Sequence, residues 1–510
     1  MMPAATTNIP AARTDRRSAR GSTTTLVCVL LSMSGCASLS DGVPQCSTPV
    51  VVDIPAAWSV GDASAVIASP ASVSLVQWWL RFDDPLLADL VARALQANTG
   101  VKSAQAALRQ ARALRDVAAA SLWPALGASA SAQHATSRSG SDGSGSTASN
   151  NFRAGLDASW ELDFFGVNRS ALDASDATLR ASAASLGDVQ VSIAAEVALA
   201  YIALRSVQAR LAIAEENLAT QIETLQITQW RLQAGLVTSL ESEQALAQAE
   251  QTRAQLPALQ TAIEQNSHAL AVLTGQPPAA LSSVLSAVSA ASRVPRAATN
   301  LALSLPAETL RQRPDVRAAE QQVIAALARV SQARAARAPR FSLGGSLGLN
   351  ALTVGALTNS AALVSSLLAS VSMPIFDGGA LSAQVRAQQA ALEQAGQAYK
   401  AAVLSALKDV EDALVALRGD RERLLHLQAA ADAAASASLL ARQRYNSGLV
   451  DFQTVLETTR TQLSTQDSVA SATADVAADH VRLYKALGGG WQSDSHDATA
   501  SPSNFRTSRL

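Results

Sequence analysis

The chain has 510 residues, a net charge of −1, 16% charged residues and 4% aromatic residues. A near-neutral chain lacks the basic field that attracts nucleic acid, so we expect no nucleic-acid partner. The length is about three times that of one ordinary domain and predicts several units or an internal duplication. Small alanine side chains supply much of the 48% hydrophobic fraction, which favours long, closely packed helices over the core of a compact enzyme.

The first 35 residues have the pattern of an export signal, with arginines before an apolar run at Leu26–Leu31. Small residues then precede Cys36, which resembles the lipobox of bacterial lipoproteins, although Met33 fits that motif less well than leucine. A plain cleaved signal peptide is the alternative. On the lipoprotein interpretation, Cys36 becomes the first residue and carries the acyl chains.

Residues 36–85 then form an anchored leader. In the lipoproteins that this segment resembles, aspartate after the cysteine favours the inner membrane, so Ala37 indicates the outer membrane. Cys46 has no obvious partner. All three cysteines lie near the N-terminus and the five histidines are scattered, so no set has the spacing of a zinc site. We expect no metal, no cofactor and no catalytic residue.

No stretch of eighteen or more apolar residues follows the signal, and we therefore expect no helix that crosses a membrane. Any crossing by the mature chain would use β-strands, because only helices and closed barrels satisfy backbone polar groups in lipid.

Internal similarity is the strongest organisational signal in the chain. The segment Arg231–Val237 (RLQAGLV) recurs 213 residues later as Arg444–Val450 (RYNSGLV). The same spacing relates Gly166 to Gly379. These matches predict two copies of one unit, each containing a helix, two strands, a long helix, a turn and a further helix.

The copies divide the mature chain after the leader into four parts. We expect a first repeat at residues 86–275, a linker in the equatorial region at 276–305, a second repeat at 306–488 and a C-terminal tail at 489–510.

The long helix of each repeat carries a heptad pattern typical of coiled coils. In the first repeat the seam consists of apolar residues seven positions apart: Val197, Leu204, Leu211, Leu218, Leu225 and Leu232. The two helices, at about 168–233 and 381–446, would each be about 100 Å long at a rise of 1.5 Å per residue. Gly235 and Gly448 stand where such helices end and the chain reverses.

Four segments alternate apolar and polar residues over the length of membrane strands, at about 124–134, 151–161, 339–350 and 363–375. A half-buried soluble sheet would alternate in the same way, but the export signal favours a membrane barrel. Between the first two strands, Ser139–Ser146 is rich in serine and glycine and predicts a flexible loop.

Four strands cannot close a barrel, because the smallest membrane barrels have about eight. An open sheet edge in lipid would leave backbone groups unpaired. Several chains must therefore contribute strands to one barrel, and their helices would follow the same symmetry and form a tube.

These features resemble the TolC-like outer-membrane efflux factors, most closely the lipid-anchored OprM/NodT type. The resemblance covers about residues 75–490, nearly the whole mature chain. Besides the two Gly-Leu-Val turns, it rests on four motifs in the family's order: Trp160–Gly166, Leu273–Pro277, Arg313–Glu320 and Pro374–Gly379.

The resemblance implies a mainly α fold with a membrane β-barrel part. In this family a homotrimer shares a 12-stranded outer-membrane barrel, four strands from each chain, above a long periplasmic barrel of coiled-coil helices. It also implies an outer-membrane, lipid-anchored exit duct for small molecules such as drugs. The implied partners are outer-membrane lipid, a periplasmic membrane-fusion adaptor and an inner-membrane transporter of the RND type.

The resemblance further implies that the turns form the lowest points of the tube and contact the adaptor. The contact residues would be those of the two Gly-Leu-Val turns: Gly235, Leu236, Val237, Gly448, Leu449 and Val450. A tight helix–turn–helix without a docking role is the alternative.

Just above the turns, the resemblance implies a periplasmic gate. Glu457 matches an acid of the family's pore ring, and Thr454 occupies the other ring position. Glu241 and Tyr445 match the acid and the tyrosine of the closing network. Val450 stands where the family has an arginine, so the lock would be weaker or built from residues such as Arg444 or Arg460. A solvated surface carboxylate is the alternative for Glu241 and Glu457.

Other functions are weaker interpretations. Gly344–Gly348 fits the G-x-S-x-G motif of hydrolases, but that motif requires a strand-to-helix turn, and Ser346 lies within an alternating strand. Within the family, the alternative is a secretion duct for peptides or proteins. Outside it, the alternative is a structural periplasmic coiled-coil lipoprotein.

Overall fold

The computed structural model describes residues 54–55, 58, 75–138, 146–287, 294–297, 306–358 and 363–491. The predicted signal, Cys36, Cys46, most of the serine-glycine loop, parts of the leader and linker, and most of the tail lie outside the described residues.

Two similar series of elements follow a short 3-10 helix at Leu75–Phe82. The first series is α1 (Pro85–Ala97), α2 (Thr99–Ala120), β1 (Ala125–Arg138), β2 (Ser146–Leu162), α3 (Val167–Gln233) and α4 (Ser239–Leu273). The short α5 (Ser282–Ala287) and α6 (Pro306–Gln312) precede the second series, and 3-10 turns lie at Pro278–Leu281 and Val354–Thr358. The second series is α7 (Pro314–Ala335), β3 (Arg340–Ala351), β4 (Leu363–Ser372), α8 (Ala380–Asn446) and α9 (Phe452–Ala486).

The repeat is visible in the helix lengths. Helices α3 and α8 have 67 residues each, α4 and α9 have 35 each, and α2 and α7 have 22 each. At 1.5 Å per residue, the longest pair extends for about 100 Å. The mainly helical architecture with a four-stranded sheet, expected from the sequence, is confirmed.

The four strands form one antiparallel sheet in the order β1-β2-β3-β4. Strand pairing places Asp157 opposite Ser346 and Leu156 opposite Leu347, so one face of the sheet is polar and the other apolar. Strand β4 ends at Ser372 rather than near residue 375, because Pro374 has no N–H to donate to a ladder. Strand β1 runs four residues beyond its expected end, because its pairing with β2 continues to Arg138.

Each long helix changes neighbours along its length. Beside the sheet, the helices pack in the row α2, α3, α7, α8, and farther away they pack in the row α4, α3, α9, α8. Each repeat thus contributes one continuous helix and one pair of shorter helices. Four helices lie side by side next to the sheet, and four lie side by side farther from it.

The largest core lies at the level where the shorter helices meet. Trp78, Tyr201 and Tyr484 are fully buried there, and the Trp78 and Tyr484 rings stack with centroids 5.4 Å apart. We call this cluster the equatorial core. The sequence assigned residues 36–85 to a leader, but the 3-10 helix at Leu75–Phe82 belongs to the fold, because its aromatic side chains fill this core.

Two of the described helices, α3 and α8, each contain an 18-residue stretch that is apolar enough, by length and composition alone, to cross a membrane. Core helices of soluble proteins can have the same composition, so this finding does not contradict the expected crossing by β-strands. Alanine accounts for the result, since it raises hydropathy without adding bulky apolar surface. In α3, 44% of that stretch is buried inside the protein, which is also usual for a core helix.

Candidate gate at the two helix turns

Both long helices end in the same hydrogen-bonded turn. Gly235 and Gly448 adopt left-handed conformations, with φ of +69° and +73°. The amide of Leu236 donates to the carbonyl of Arg231 at 2.8 Å, and the Leu449 amide makes the equivalent bond at 2.9 Å. This is a Schellman cap, in which glycine avoids the Cβ clash of the left-handed region.

The turns present apolar side chains to solvent. Leu236 and Leu449 are each 74% exposed, whereas Val237 and Val450 are half-buried. Contiguous exposed apolar surface often marks a site where another protein docks, and each turn contributes one exposed leucine to such a surface.

A hydrogen bond joins the two repeats just above these turns. The phenol Oη of Tyr445, in the last turn of α8, donates to Oε2 of Glu241, in the first turn of α4, at 2.8 Å. Burial raises the pKa of Tyr445, and the hydrogen bond to Glu241 raises it further. The phenol therefore stays protonated and able to donate at neutral pH.

Arg231 is the basic residue that the structure adds to this pair. Its guanidinium lies 5.0 Å from the centroid of the Tyr445 ring, and its Nη2 donates to Oδ1 of Asn446 at 3.3 Å. A cation over an aromatic face contributes about 0.5–1 kcal/mol at exposed sites. The end of α3 is thereby attached to the end of α8.

Sequence reasoning missed Arg231 because it followed the family's arginine position, which holds Val450 here. The duplication was an available signal, since Arg231 is the repeat equivalent of Arg444, and Arg444 was considered. The other residue considered, Arg460, donates through Nε to Oε1 of Gln248 and ties α9 to α4.

A small apolar cluster supports the pair from behind. It consists of five buried residues, Ala245, Ala441, Phe452, Val455 and Leu456, with Tyr445 packed against them. The rings of Tyr445 and Phe452 lie with centroids 5.4 Å apart. This packing fixes the position from which the phenol reaches Glu241.

Thr454 has a local role in the structure. Its amide and its hydroxyl both donate to Oδ1 of Asp451, at 3.0 and 2.5 Å, and Asp451 is the N-cap of α9. These hydrogen bonds lower the pKa of Asp451. Glu457 is exposed one turn farther along α9, and its carboxylate has no hydrogen-bond or ion-pair partner among the described residues. Glu241 and Tyr445 are thus brought together, whereas Thr454 and Glu457 are joined to neither.

The serine of the hydrolase-like motif is part of the sheet. Ser346 lies in β3, and its Oγ is 2.8 Å from Oγ of Ser366 on β4. No strand-to-helix turn presents it, so the geometry of a nucleophile elbow is missing at this serine. Within the described ranges, no group of three or more histidine, cysteine, aspartate or glutamate residues is placed to hold a metal ion.

Comparison with known families and curated proteins gives a consistent result. The sequence matches the family described as Outer membrane efflux protein over residues 90–276 and 305–489. The pyoverdine export outer membrane protein OpmQ of Pseudomonas putida is 35% identical over 470 residues, covering 90% of this chain and 97% of that protein. The solvent efflux pump outer membrane protein SrpC of Pseudomonas putida is 31% identical over 468 residues, covering 91% and 97%.

Solved structures share the fold over nearly their full length. The outer-membrane channel OprN superimposes with a TM-score of 0.79 at 36% identity, covering 87% of this chain and 100% of that chain. The outer membrane protein VceC of Vibrio cholerae superimposes with a TM-score of 0.73 at 26% identity, covering 82% and 99%.

Proposed function

The chain belongs to the outer membrane efflux protein family, and from that premise we propose that the hydrogen bond between Tyr445 and Glu241 is the lock of a periplasmic gate. The family consists of transport channels of the outer membrane that extend into the periplasm. Its members form trimers that pair with periplasmic adaptors and inner-membrane RND transporters in tripartite efflux pumps.

The activity of this chain is passage of solutes through the duct, without covalent chemistry. Its relatives are named for the export of pyoverdine and of solvents. We infer that the cargo here is also a small molecule, with selection made upstream by the inner-membrane transporter. The serine of the hydrolase-like motif, Ser346, contacts Ser366 of the neighbouring strand and not a base.

The position of the Tyr445–Glu241 bond is the observation that supports the lock. The bond connects α8, which belongs to the second repeat, to α4 of the first repeat, at the exposed end of both hairpins. Opening a tube at this end requires the hairpins to separate, and separation breaks this bond. Arg231 strengthens the closed arrangement by contacting both the Tyr445 ring and Asn446.

The exposed leucines of the turns supply a docking surface for the adaptor. Leu236 and Leu449 occupy equivalent positions in the two repeats, so a partner would meet two similar apolar contacts on each chain. Docking there would act directly on the hairpins that carry the lock. Attachment of acyl chains to Cys36 would hold the trimer at the outer membrane and is part of the same proposal.

Single-channel recording in planar lipid bilayers tests the lock. Tyr445→Phe removes the donor hydroxyl and keeps the ring, and Glu241→Ala removes the acceptor. A hydrogen bond to a charged group contributes about 1.5–3 kcal/mol, so losing it would favour the open state at least about tenfold. Both variants should therefore raise the mean conductance.

Tyr399→Phe is the matched control, because Tyr399 lies on the same helix α8 and far from the turns. Its conductance should equal that of the unmodified protein. Unchanged conductance in both Tyr445→Phe and Glu241→Ala would reject the lock and leave the family assignment intact.

A further inference from the structure

A cavity of about 760 Å³ lies where the helices meet the sheet. Helices α2, α3, α7 and α8 and the first residue of β3 line it. Its lining contains no aspartate or glutamate, but it contains two arginines and four glutamines: Arg329, Arg340, Gln110, Gln332, Gln384 and Gln388. Hydroxyl groups of α3 and alanine side chains complete the wall.

We place the cavity on the inner side of the duct wall, because the polar face of a membrane barrel surrounds water. The four helices that line it pack in the row α2, α3, α7, α8. Arg340 supports this orientation, because strand alternation places it on the polar face of β3 with Ser342 and Ser346. The neighbouring Phe341 lies on the opposite, apolar face.

The positive charges of the cavity are uncompensated. Arg329 and Arg340 are exposed to it, and neither forms an ion pair with a carboxylate in the part of the chain that the structure describes. Arg115, which lies nearby on α2 but does not line the cavity, is instead held by Asp176 at 2.8 Å. A trimer would carry two such free arginines from each chain at one level of the duct.

We propose that this cavity is a binding subsite for small organic anions on the export path. A guanidinium presents a planar set of donors that matches a carboxylate, phosphate or sulfonate group. The glutamine amides add neutral donors and acceptors for the rest of the molecule. The inference rests on the proposed duct function, and it adds a preference of the duct for anionic solutes to the selection that the transporter makes upstream.

Block of single-channel current by citrate, a tricarboxylate, tests the subsite. Citrate is added on the side of the β-barrel, from which it reaches the cavity without passing the gate. The double variant Arg329→Gln/Arg340→Gln should need about tenfold more citrate to block half of the current. Without the two positive charges, the cavity no longer raises the local concentration of anions. Raising the salt concentration should weaken block of the unmodified channel for the same reason.

Two further variants separate the charge from other effects. Arg386→Gln is the matched control, since Arg386 lies on α8 between Gln384 and Gln388 but on the opposite face of the helix. It should leave block unchanged. Arg329→Lys/Arg340→Lys keeps the charge and should retain most of the block.

If the unmodified protein, the double glutamine variant and the Arg386 control all form conducting channels that citrate blocks equally, the proposed subsite is rejected. The proposed duct function is then unaffected. Failure of the unmodified protein to form any conducting pore would overturn the duct and the subsite together.

Discussion

The same long helices are held in two different ways at the equatorial core and at the turns. At the equatorial core, large aromatic and aliphatic side chains such as Trp78 and Ile202 are buried. Toward the turns, most of the buried side chains larger than alanine are polar: Asn217, Gln221, Thr228, Ser242, Gln248, Thr252, Ser438 and Thr459.

This difference makes the contacts between helices stronger at the equatorial core than near the turns. Burial of apolar area stabilises by about 25 cal/mol per Å², whereas a buried polar group without a partner costs about 1–3 kcal/mol. Both amide atoms of Gln221 and the hydroxyl of Ser438 have no hydrogen-bond partner. Because less apolar area is buried there, we expect the hairpin ends to separate at a lower cost than the equator, and the proposed lock is the Tyr445–Glu241 bond that joins them.

The equator also contains buried polar atoms without hydrogen-bond partners, at Trp78, Asp479 and Tyr484, but its Arg313 is fully paired. Arg313 is nearly buried, and its Nη2 contacts Asp315 at 2.6 Å and Asp409 at 3.1 Å. Its Nη1 donates to the carbonyl of Ala486 at 3.0 Å. Three helices thus meet at one guanidinium, which gives the equator a directional connection in addition to its apolar packing.

The largest expected effect is a loss of equatorial packing. Trp78→Ala removes a fully buried ring that stacks on Tyr484, and should lower the free energy of unfolding by about 3–5 kcal/mol. Thermal unfolding of the purified trimer, followed by circular dichroism, measures the change. Trp230→Ala is the control, because Trp230 lies near the turn and is 59% exposed, and it should change the free energy of unfolding little. Equal losses of stability in the two variants would contradict the difference in packing between the equator and the turns.

Two glycines with the same backbone conformation allow the packing at the equator to be compared with the packing at the turn. Gly275, at the equator, has φ of +70°, and a Cβ added there would lie 2.6 Å from the carbonyl oxygen of Ala97. Gly235 has φ of +69°, and nothing lies within 4 Å of the same Cβ. Both alanine variants carry a left-handed strain of about 1 kcal/mol.

Gly275→Ala should cost about 1–3 kcal/mol more than Gly235→Ala, because the clash adds to the strain. Chemical denaturation of both variants measures the difference. Equal losses would mean that the turn is packed as tightly as the equator.

Replacing a polar side chain in the lower seam should strengthen the turns. Gln221→Leu substitutes an apolar side chain for a buried amide that lacks partners, and should stabilise the closed hairpins by about 1–2 kcal/mol. Single-channel recording should show fewer openings than in the unmodified protein. Glu223→Leu, at an exposed position on the same helix, should not reduce them; a rise in openings for Gln221→Leu would contradict the proposed looseness of the seam.

The smallest expected effect is a pH dependence at the cap of α9. The pKa of Asp451 is lowered from 3.8 by its hydrogen bonds with Thr454, so the cap stabilises the helix at and above that pH. This contribution is lost as the pH falls through the lowered pKa, when the carboxylate is protonated. As the pH falls below 4, the frequency of channel openings should rise more in the unmodified protein than in Asp451→Asn. An equal rise in the two proteins would reject a contribution of the cap.

Much of the fold could be predicted from residues whose type and spacing are compatible with only one local structure. The heptad leucines, the two Gly-Leu-Val turns and Pro374 place helices, reversals and a strand end. The exact neighbours at the gate did not follow, because they depend on how two distant hairpins pack. Sequence reasoning paired Glu241 with Tyr445 through the family resemblance, but only the folded chain brings Arg231 over the Tyr445 ring.

The aromatic residues of Leu75–Phe82 show a second limit. Sequence reasoning assigned them to the leader at residues 36–85, although the family resemblance began at about residue 75. Their role depends on filling space between helices from both repeats, and no local pattern encodes that space.

Hydrogen–deuterium exchange of the intact trimer tests most directly the claim that the hairpin ends are loosely held. Residues 191–205 and 217–231 lie in the same helix α3 and differ mainly in their surroundings. The account predicts that amides in 217–231 exchange at least about tenfold faster, because that segment opens locally without unfolding the equator. Equal exchange in the two segments, or slower exchange near the turn, would contradict it.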